Sequence, residues 1–336
     1  MHSKPVVALL SVGELFGGVE RHLLGSCQWF QRWGVDPILI LFFDRELAHQ
    51  AREHGVTPII LENSGSCDLS VPRRLARVLA DRRVDVVHAH GYRAVVNGAL
   101  AHRYHPFAMV RTVHGLVEPS RPLSLTWVKS NLYDRLEHVA AAWGRAETCY
   151  VTDDLRRRRT GGRPTPGPRE RVVHNGIDPL LSGVFTRPPD LPAGAFNFAA
   201  VGRVTPVKGL ETALHALRKM GPEGNPVLSI IGTGPSLAGL ETLAAELGVA
   251  ARVRFLGFRQ NIYDYLAHVD ALIMPSHHEG LPYTVLEAMS LATPIIASRV
   301  GGLAEVLVAG ETALLVEPAD VGGWAAAMRS LMQQED

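Results

Sequence analysis

The chain of 336 residues has few cysteines and no long hydrophobic run. Its three cysteines, Cys27, Cys67 and Cys149, are an odd number without close spacing, which argues against a disulfide framework and against a zinc site. No apolar run approaches the roughly 20 residues of a membrane-spanning helix. The short run 6–12 lacks a small-residue cleavage site, so we interpret it as a strand and not as a signal peptide. These absences predict a protein of the reducing cytoplasm.

Charge is nearly balanced in total but unevenly distributed along the chain. Residues 1–190 carry 25 Lys and Arg against 19 Asp and Glu, a net charge of +6, whereas residues 191–336 carry 9 against 14, a net charge of −5. Basic faces attract anionic partners, so we hypothesise contact with an anionic membrane surface, and we expect no nucleic-acid partner. The alternative is a solvated face or a flexible loop. The basic residues concerned are Arg73, Arg74, Arg77, Arg82, Arg83 and the arginine run 156–159.

Short apolar runs alternate with helical patterns from end to end, which predicts parallel sheets with helices on both faces. The predicted strands are 5–11, 37–43, 57–61, 84–89, 109–113 and 148–151, a short last strand that begins near 171, and then 196–201, 227–231, 253–256, 271–274, 294–297 and 313–316. A segment rich in proline and glycine lies between the two series. The predicted domains are therefore 1–185 and 186–336, each an α/β domain.

The most informative motif is 275–289, which reads Pro-Ser-His-His-Glu-Gly-Leu-Pro-Tyr-Thr-Val-Leu-Glu-Ala-Met. Glu279 and Glu287 stand eight positions apart, around a helix whose first residue can be Pro282. The N-terminus of such a helix offers backbone N–H groups and a partial positive charge, which suits phosphate. The alternative is an ordinary surface helix with two solvated carboxylates. The candidate binding residues of its first turn are Gly280, Leu281, Pro282 and Tyr283.

This motif resembles the carboxylate pair of the retaining glycosyltransferases of family 4, also called glycosyl transferases group 1. The fold of that family is GT-B, in which two Rossmann-like, doubly wound domains face each other across a cleft that holds the active site. The resemblance covers nearly the whole chain and is strongest from Val201 to Val316. Family members usually continue beyond their last helix with a segment that crosses back to the first domain. Since the sequence ends at Asp336, we expect that crossing to be missing or much reduced.

A second motif, Gly202-Arg203 with Lys208-Gly209, follows the predicted strand 196–201. Arginine offers a bidentate fork and lysine a point charge, and both answer the negative charge of a departing diphosphate. The family resemblance implies that Arg203 and Lys208 hold the diphosphate of a nucleotide sugar. It also implies that further donor-binding residues are Gly202, Gly232, Gly234 and Arg259.

In the first half, Gly17 and Gly18 follow the first predicted strand and precede a helix. The resemblance implies that this turn lies near the donor phosphate and the acceptor, although a plain strand-to-helix turn is the alternative. It also implies that His114 bonds the donor sugar, where the alternative is a histidine that caps its own strand. By the same resemblance, His88 and His90 belong to an acceptor-side motif.

The sequence predicts neither a metal site nor a cofactor. No Asp-x-Asp motif occurs, and the adjacent His277 and His278 cannot share one face. Metal-independent transfer is therefore expected, with the leaving diphosphate held by cations and N–H groups. Glu279 would support the developing positive charge of the sugar, and Glu287 would accept hydrogen bonds from ribose. The expected catalytic residues are Glu279, His114, Arg203 and Lys208.

The implied activity is transfer of a sugar, with retained configuration, from a UDP- or GDP-linked donor to a glycan or lipid-linked acceptor. The implied setting is the synthesis of polysaccharide, lipopolysaccharide or glycolipid, in the cytoplasm or at the inner face of the cell membrane. Two alternatives stay open. A nucleotide-sugar 2-epimerase would yield epimerised sugar without an acceptor. A nucleotide-sugar-binding pseudoenzyme would act as the partner of an active transferase; the intact set of charged residues argues against it, and the short C-terminus keeps it open.

Overall fold

The structure, a computed structural model, describes residues 4–13, 17–62, 68–116, 125–180 and 183–333. The chain divides into two compact units, Met1–Asn175 and Gly176–Asp336. Each unit contains one parallel sheet with helices packed on it. Cys27 and Cys149 are free, and Cys67 lies outside the described residues. Within those ranges, no helix has both the length and the apolar character that a membrane crossing requires.

The N-terminal unit alternates strands and helices. Its described residues form the strands β1 (Val7–Ser11), β2 (Pro37–Leu41), β3 (Ile59–Ile60), β4 (Val86–His90), β5 (Ala108–Val113), β6 (Glu147–Tyr150) and β7 (Glu170–Val172). They also form the helices α1 (Gly18–Arg32), α2 (Glu46–Glu53), α3 (Val71–Asp81), α4 (Tyr92–Ala101), α5 (Leu125–Trp143) and α6 (Asp153–Arg159).

The strands of this unit lie in the order β3-β2-β1-β4-β5-β6-β7, and all neighbouring pairs are parallel. Alternate residues of β1 enter two separate cores: Ala8 and Leu10 pack on one face, and Leu9 packs on the other with Leu23 and Cys27 of α1. The strand order reverses between β1 and β4. In doubly wound sheets, the carboxyl ends of the strands at such a reversal border a crevice.

The C-terminal unit repeats this plan. Its described residues form the strands β8 (Phe196–Val201), β9 (Pro226–Ile231), β10 (Val253–Gly257), β11 (Ala271–Met274), β12 (Ile295–Ser298) and β13 (Leu314–Val316). The helices are α7 (Leu210–Met220), α8 (Leu237–Glu246), α9 (Ile262–Leu266), α10 (Tyr283–Ser290), α11 (Gly301–Val306) and α12 (Val321–Gln333).

The second sheet has the order β10-β9-β8-β11-β12-β13, again with parallel neighbours. Phe198 of β8 packs on one face with Trp324 of α12, whereas Ala199 packs on the other face with Val285 of α10. The order reverses between β8 and β11, which makes this the switch point of the C-terminal unit. The predicted α/β class with two doubly wound sheets is confirmed.

Candidate functional site

A cavity with an empty volume of about 270 Å³ opens at the switch point of the C-terminal sheet. Because parallel strands end at the same edge, the loops that leave β8 and β11 meet there although some 70 residues separate them along the chain. The cavity is lined by Ala200, Val201, Gly202, Arg203, Lys208, Leu210, Ile230, Ile273, Met274, Pro275 and Ser276. Three predicted donor-binding residues, Gly202, Arg203 and Lys208, are thus part of one wall.

Lys208 and Glu279 form an ion pair beside this cavity. The Lys208 Nζ donates to Glu279 Oε1 at 2.6 Å, and the Ser276 hydroxyl donates to the same oxygen at 2.7 Å. The side chains of Lys208 and Glu279 are only 21% and 10% exposed. Hydrogen bonds between ionised groups are the strong ones, and low exposure strengthens them further. The carboxylate of Glu279 is therefore held in one position by two donors from two different loops.

Glycines allow the strand-end loops to pack directly on one another. The Gly202 N–H donates to the Ile231 carbonyl at 3.0 Å, and the Gly232 N–H donates to the Gly257 carbonyl at 2.8 Å. Gly232 has a φ of +144°, and a Cβ there would overlap the carbonyl oxygen of Gly202. A Cβ on Gly234 would overlap the carbonyl of Val204 in the same way. Both predicted donor-binding glycines, Gly232 and Gly234, therefore have a packing role in the loops around the cavity.

Helix α10 begins at Tyr283, with Pro282 as its N-cap instead of its first residue. Pro282 has an extended ψ of 136°, and the fixed φ of proline suits a cap as well as the first helical position. Glu287 lies in the second turn and is 1% exposed, with the Tyr263 hydroxyl donating to it at a long 3.5 Å. Burial, together with the charge of Glu287, raises the pKa of Tyr283. Neither carboxylate of the motif is thus a solvated surface group.

Arg259 is not among the residues that line this cavity, and its guanidinium bonds two other side chains. Its Nε donates to the Tyr265 hydroxyl at 3.0 Å, and its terminal nitrogen donates to Asp190 at 3.2 Å. Tyr265 in turn donates to Asp190 at 2.8 Å. This cluster ties the segment after β10 to the segment before β8. A donor-binding role for Arg259 stays a prediction, because its guanidinium already has these partners.

In the N-terminal unit, the glycine pair stands at the start of α1. Gly17 is the N-cap and Gly18 the first helical residue. The Glu20 carboxylate accepts hydrogen bonds from the backbone N–H groups of Gly17 and Glu20, while burial raises its pKa. A carboxylate that folds back in this way satisfies the exposed amides of a helix N-terminus. The predicted turn is present, and the chain's own carboxylate occupies it.

Four histidines from three segments lie together at the switch point of the N-terminal sheet. His88 and His90 belong to β4, His114 follows β5, and His22 lies on α1. His90 Nδ1 lies 2.9 Å from His114 Nε2, and His88 Nε2 lies 2.7 Å from the Thr112 hydroxyl. Burial is the main cause that lowers their pKa values, to about 4 for His22 and His88 and well below 6.5 for His90 and His114. The imidazoles are therefore neutral near pH 7.

Comparison with known families connects these two units to one class of proteins. Residues 16–180 match the model of glycosyltransferase family 4, and residues 186–336 match the model of glycosyl transferases group 1. Each half of the chain thus matches a glycosyltransferase family model. These matches support the resemblance that the sequence motifs predicted.

Relatives with curated names are transferases. Glycogen synthase of Mycobacterium tuberculosis is 31% identical over 270 residues, which are 77% of this chain, and the match spans 63% of that protein's length. The lipopolysaccharide core biosynthesis glycosyltransferase LpsD of Rhizobium meliloti is 37% identical over 140 residues, 42% of this chain and 40% of the relative. The names support the transferase class predicted from the sequence.

Solved structures share the fold over almost the whole chain. Anabaena HepE, solved in complex with UDP and glucose, superposes with a TM-score of 0.84 at 20% identity and covers 98% of this chain and 90% of that one. WaaG, a glycosyltransferase involved in lipopolysaccharide biosynthesis, superposes with a TM-score of 0.72 at 17% identity, covering 98% and 91%. These likenesses confirm the predicted GT-B fold class.

Two residues of these sites were missed by sequence reasoning. Ser276, which donates to Glu279, stands inside the motif 275–289, and its hydroxyl three residues before the glutamate was the available signal. His22 stands two residues after Glu20 on α1, and nothing local marks it, because its neighbours His90 and His114 come from β4 and from the end of β5.

Proposed function

We propose that this chain is a retaining, metal-independent glycosyltransferase that moves a sugar from a nucleotide-diphosphate sugar to a glycan or lipid-linked acceptor. The observation that carries the proposal is the Lys208–Glu279 ion pair beside a cavity at the switch point of the C-terminal sheet. The relatives support it, since HepE was solved with UDP and glucose and LpsD is named for lipopolysaccharide core synthesis. UDP is accordingly the first nucleotide to test, with GDP as the alternative.

The charges around the cavity suit a diphosphate leaving group. When the bond between sugar and diphosphate breaks, negative charge grows on the bridging oxygen, and fixed cations stabilise it. Arg203 lines the cavity, and Lys208 stands beside Glu279. An ammonium has three donors, so Lys208 can keep its bond to Glu279 while it donates to a phosphate oxygen. Such a bridge would place the Glu279 carboxylate next to the bond that breaks, where it supports the positive charge on the sugar.

The remaining assignments follow the family resemblance. We propose that Glu287 accepts hydrogen bonds from the ribose hydroxyls of the donor, and that His114 bonds the donor sugar. The first turn of α10 is proposed to contact the diphosphate through backbone groups at Leu281 and Tyr283, since Pro282 has no N–H. With cations and helix amides facing the diphosphate, transfer needs no divalent ion.

For the acceptor side, we propose that α5 rests on an anionic membrane surface. Five large apolar side chains, each 46–66% exposed, recur along one face of this helix at spacings of four, four, three and four residues. Exposed apolar stripes of this kind mark membrane or protein contacts. The stripe consists of Val128, Leu132, Leu136, Val139 and Trp143.

The opposite face of α5 packs on α4 and β5 of the same unit, so the apolar stripe faces away from them. The ring of Tyr133 stacks on Tyr92 of α4 with centroids 4.5 Å apart, and Glu137 accepts a hydrogen bond from Arg111 of β5 at 3.3 Å. On the helical wheel, the exposed Lys129 and Arg135 flank the stripe on its two sides. Cations with long apolar stems beside an apolar stripe suit a surface of anionic lipids.

The arginine run 156–159 does not add to this basic surface. Arg156 is fully buried and donates to Asp153 at 2.7 Å and to the carbonyl of Arg163 at 2.9 Å. Arg158 pairs with Asp154 at 2.8 Å, and Arg159 pairs with Asp134. The acidic partners neutralise the run, so α6 contributes structure and not attraction for anions. Helix α3 packs against α4 as α5 does, and its Arg73 and Arg77 are exposed, although Arg73 also bonds the Tyr104 hydroxyl.

The function is tested by ligand-induced stabilisation followed by product analysis. Thermal unfolding is measured with UDP, GDP, ADP and their sugars, in EDTA; a ligand at about 100 times its dissociation constant stabilises by roughly 2.7 kcal/mol. We expect stabilisation by one nucleotide series that Arg203→Ala removes, and an NMR spectrum of the product that shows retained anomeric configuration. Epimerised sugar without an acceptor would favour the epimerase, and binding without turnover would favour the pseudoenzyme. No stabilisation by any nucleotide would refute the proposal.

A further inference from the structure

The histidine cluster of the N-terminal unit has the composition and geometry of a metal site. One imidazole nitrogen each from His22, His90 and His114 lies within 4.8 Å of the other two. We propose that these three histidines bind one divalent transition-metal ion, with zinc as the type ion. Imidazole suits zinc, copper and nickel, and three histidine ligands with an open fourth position are an established zinc arrangement.

The distance between His90 and His114 needs little adjustment to admit an ion. His90 Nδ1 and His114 Nε2 are 2.9 Å apart. Two nitrogens bound to one tetrahedral zinc ion, at Zn–N distances of about 2.0–2.1 Å, lie about 3.3 Å apart. A separation of the two rings by a few tenths of an ångström therefore suffices. The ring centroid of His22 lies 5.0 Å from that of His114 and 5.2 Å from that of His90. Because the three ligand nitrogens lie within 4.8 Å of one another, His22 must approach by up to roughly 1.5 Å to supply the third ligand.

One shared proton lies where the ion would bind. One of the two nitrogens between His90 and His114 carries the proton that they share. When the ion binds, this proton moves to the other nitrogen of its own ring, so both imidazoles stay neutral and each facing nitrogen donates its lone pair to the metal.

A second observation points to a missing ligand at the same place. His90 is 1% exposed, and its Nε2 has no hydrogen-bond partner among the residues that the structure describes. Buried polar atoms nearly always have a partner, so an orphaned ring nitrogen calls for one. In either tautomer of His90, one ring nitrogen is unprotonated and can bind an ion: Nε2 when Nδ1 carries the proton, and Nδ1 when Nε2 carries it.

The surrounding fold holds the three ligands rigidly. β4 and β5 are paired in register, with His90 opposite Thr112, so His90 and His114 leave adjacent strand ends. His88 packs on His90 with ring centroids 4.2 Å apart and is fixed by its bond to the Thr112 hydroxyl. Rigid supports of this kind maintain ligand orientation in metal sites. The sequence-based expectation of no metal site rested on the three cysteines, on His277 and His278 and on the lack of Asp-x-Asp, and none of these residues belongs to the cluster.

The test measures zinc binding by the full chain. Protein stripped with EDTA and transferred to chelator-free buffer is titrated with Zn²⁺ against a colorimetric zinc indicator, and its metal content is determined after dialysis. We expect one tightly bound ion per chain for the wild type and for His49→Gln, whose side chain on α2 is 66% exposed. His22→Gln and His90→Gln should each weaken binding by at least roughly 100-fold, because loss of even an outer-shell partner costs about 10–100-fold.

The visible absorption spectrum of bound Co²⁺ tests the coordination number of the metal site. Co²⁺ bound by three imidazoles and a water gives visible absorption bands of a four-coordinate ion, which we expect in the wild type and not in His22→Gln. His22 is only partly buried, so this variant decides the matter if His90→Gln fails to fold. Zinc held equally by the wild type and a folded ligand variant would overturn the proposal, as would a wild type that holds no zinc.

An ion at this place would occupy a nitrogen of His114, so zinc should inhibit transfer if His114 contacts the donor sugar. This consequence rests on the proposed function, whereas the binding test does not. His22→Gln should remove the inhibition. A chain that binds zinc and has no transferase activity would refute the proposed function and leave the metal site standing.

Discussion

Lys208 donates to Glu279 at 2.6 Å across the edge of the C-terminal sheet, from the loop after β8 to the loop after β11. The two groups were expected to act on different parts of the donor, one on the diphosphate and the other on the sugar. In the structure the two side chains form one ion pair. Removal of either partner should therefore alter the position and charge of the other.

The ion pair predicts a large loss of activity in Lys208→Ala. The variant loses a cation for the diphosphate and leaves the weakly exposed Glu279 with Ser276 as its donor. Because one preorganised electrostatic contact is worth about 10²–10³ in rate, we expect kcat/KM to fall by that factor. Glu279→Ala should abolish turnover while circular dichroism shows an intact fold. Lys219→Ala, an exposed lysine on α7, is the matched control and should keep the wild-type kcat/KM.

Ser276→Ala should have a smaller effect, because it removes a neutral donor and leaves the charge of Lys208 in place. A hydrogen bond to a charged group contributes about 1.5–3 kcal/mol, so kcat should fall by roughly 10–150-fold. Steady-state kinetics on the single variants and on the double variant with Lys208→Ala measure the coupling. Strictly additive effects would show that the two donors do not act on one carboxylate.

Substitution of glycine by alanine should have opposite effects on stability at Gly232, in the loop after β9, and at Gly239, in helix α8. Gly232→Ala should destabilise the chain by more than about 2 kcal/mol, because the new methyl group meets the Gly202 carbonyl at a φ suited to glycine. Gly239→Ala, in the exposed first turns of α8 with open space around it, should be neutral or stabilise by up to about 1 kcal/mol. Urea unfolding measures both. Equal stabilities of the two variants would contradict the packing role of Gly232.

The arginine run predicts that Asp153→Asn destabilises the N-terminal unit more than Asp154→Asn. Asp153 accepts a hydrogen bond from the buried Arg156, and leaving a buried donor without its partner costs about 1–3 kcal/mol, whereas an exposed pair contributes up to about 1 kcal/mol. The Arg156 hydrogen bond lowers the pKa of Asp153, so its contribution is present above the ordinary pKa near 4 and lost as pH falls through the lowered value. Urea unfolding at pH 7 and at pH 3 should show the gap between wild type and variant shrinking in acid.

The apolar stripe of α5 predicts membrane binding that depends on both shape and charge. Leu132→Glu and Leu136→Glu should reduce flotation with vesicles that contain anionic phosphatidylglycerol, because each places a carboxylate on the surface that meets lipid. Val308→Glu, at a half-exposed position of the C-terminal unit, is the matched control. Equal flotation of the wild type with neutral vesicles and with anionic vesicles would exclude the role of the flanking cations.

Strands were the most predictable part of the fold. β8 and β11 run over the residues that the pattern predicted, 196–201 and 271–274, because each is a buried apolar run with clear ends. The start of α10 differed by one residue, since proline fits both an N-cap and a first helical position. Local rules decide such features, and the sequence contains them.

Contacts between distant segments could not be predicted. Nothing near Lys208 in the sequence indicates that its ammonium bonds Glu279, and nothing near His22 indicates three other imidazoles. The arginine run has the composition of a solvated patch, yet burial of Arg156 depends on carbonyls of a loop that folds over it. Glu20 likewise became the cap of its own helix only through the geometry of the turn.

The backbone bonds that tie the loop after β8 to the loop after β9 have a thermodynamic consequence. When a loop becomes ordered only on ligand binding, the loss of its conformational entropy offsets part of the interaction energy. Here Gly202 and Val204 are already held by the carbonyls of Ile231 and Thr233, at 3.0 and 2.9 Å. The loop that lines the cavity is therefore already ordered in the folded chain. A ligand that binds there loses less of its interaction energy to ordering the loop, so its affinity is higher.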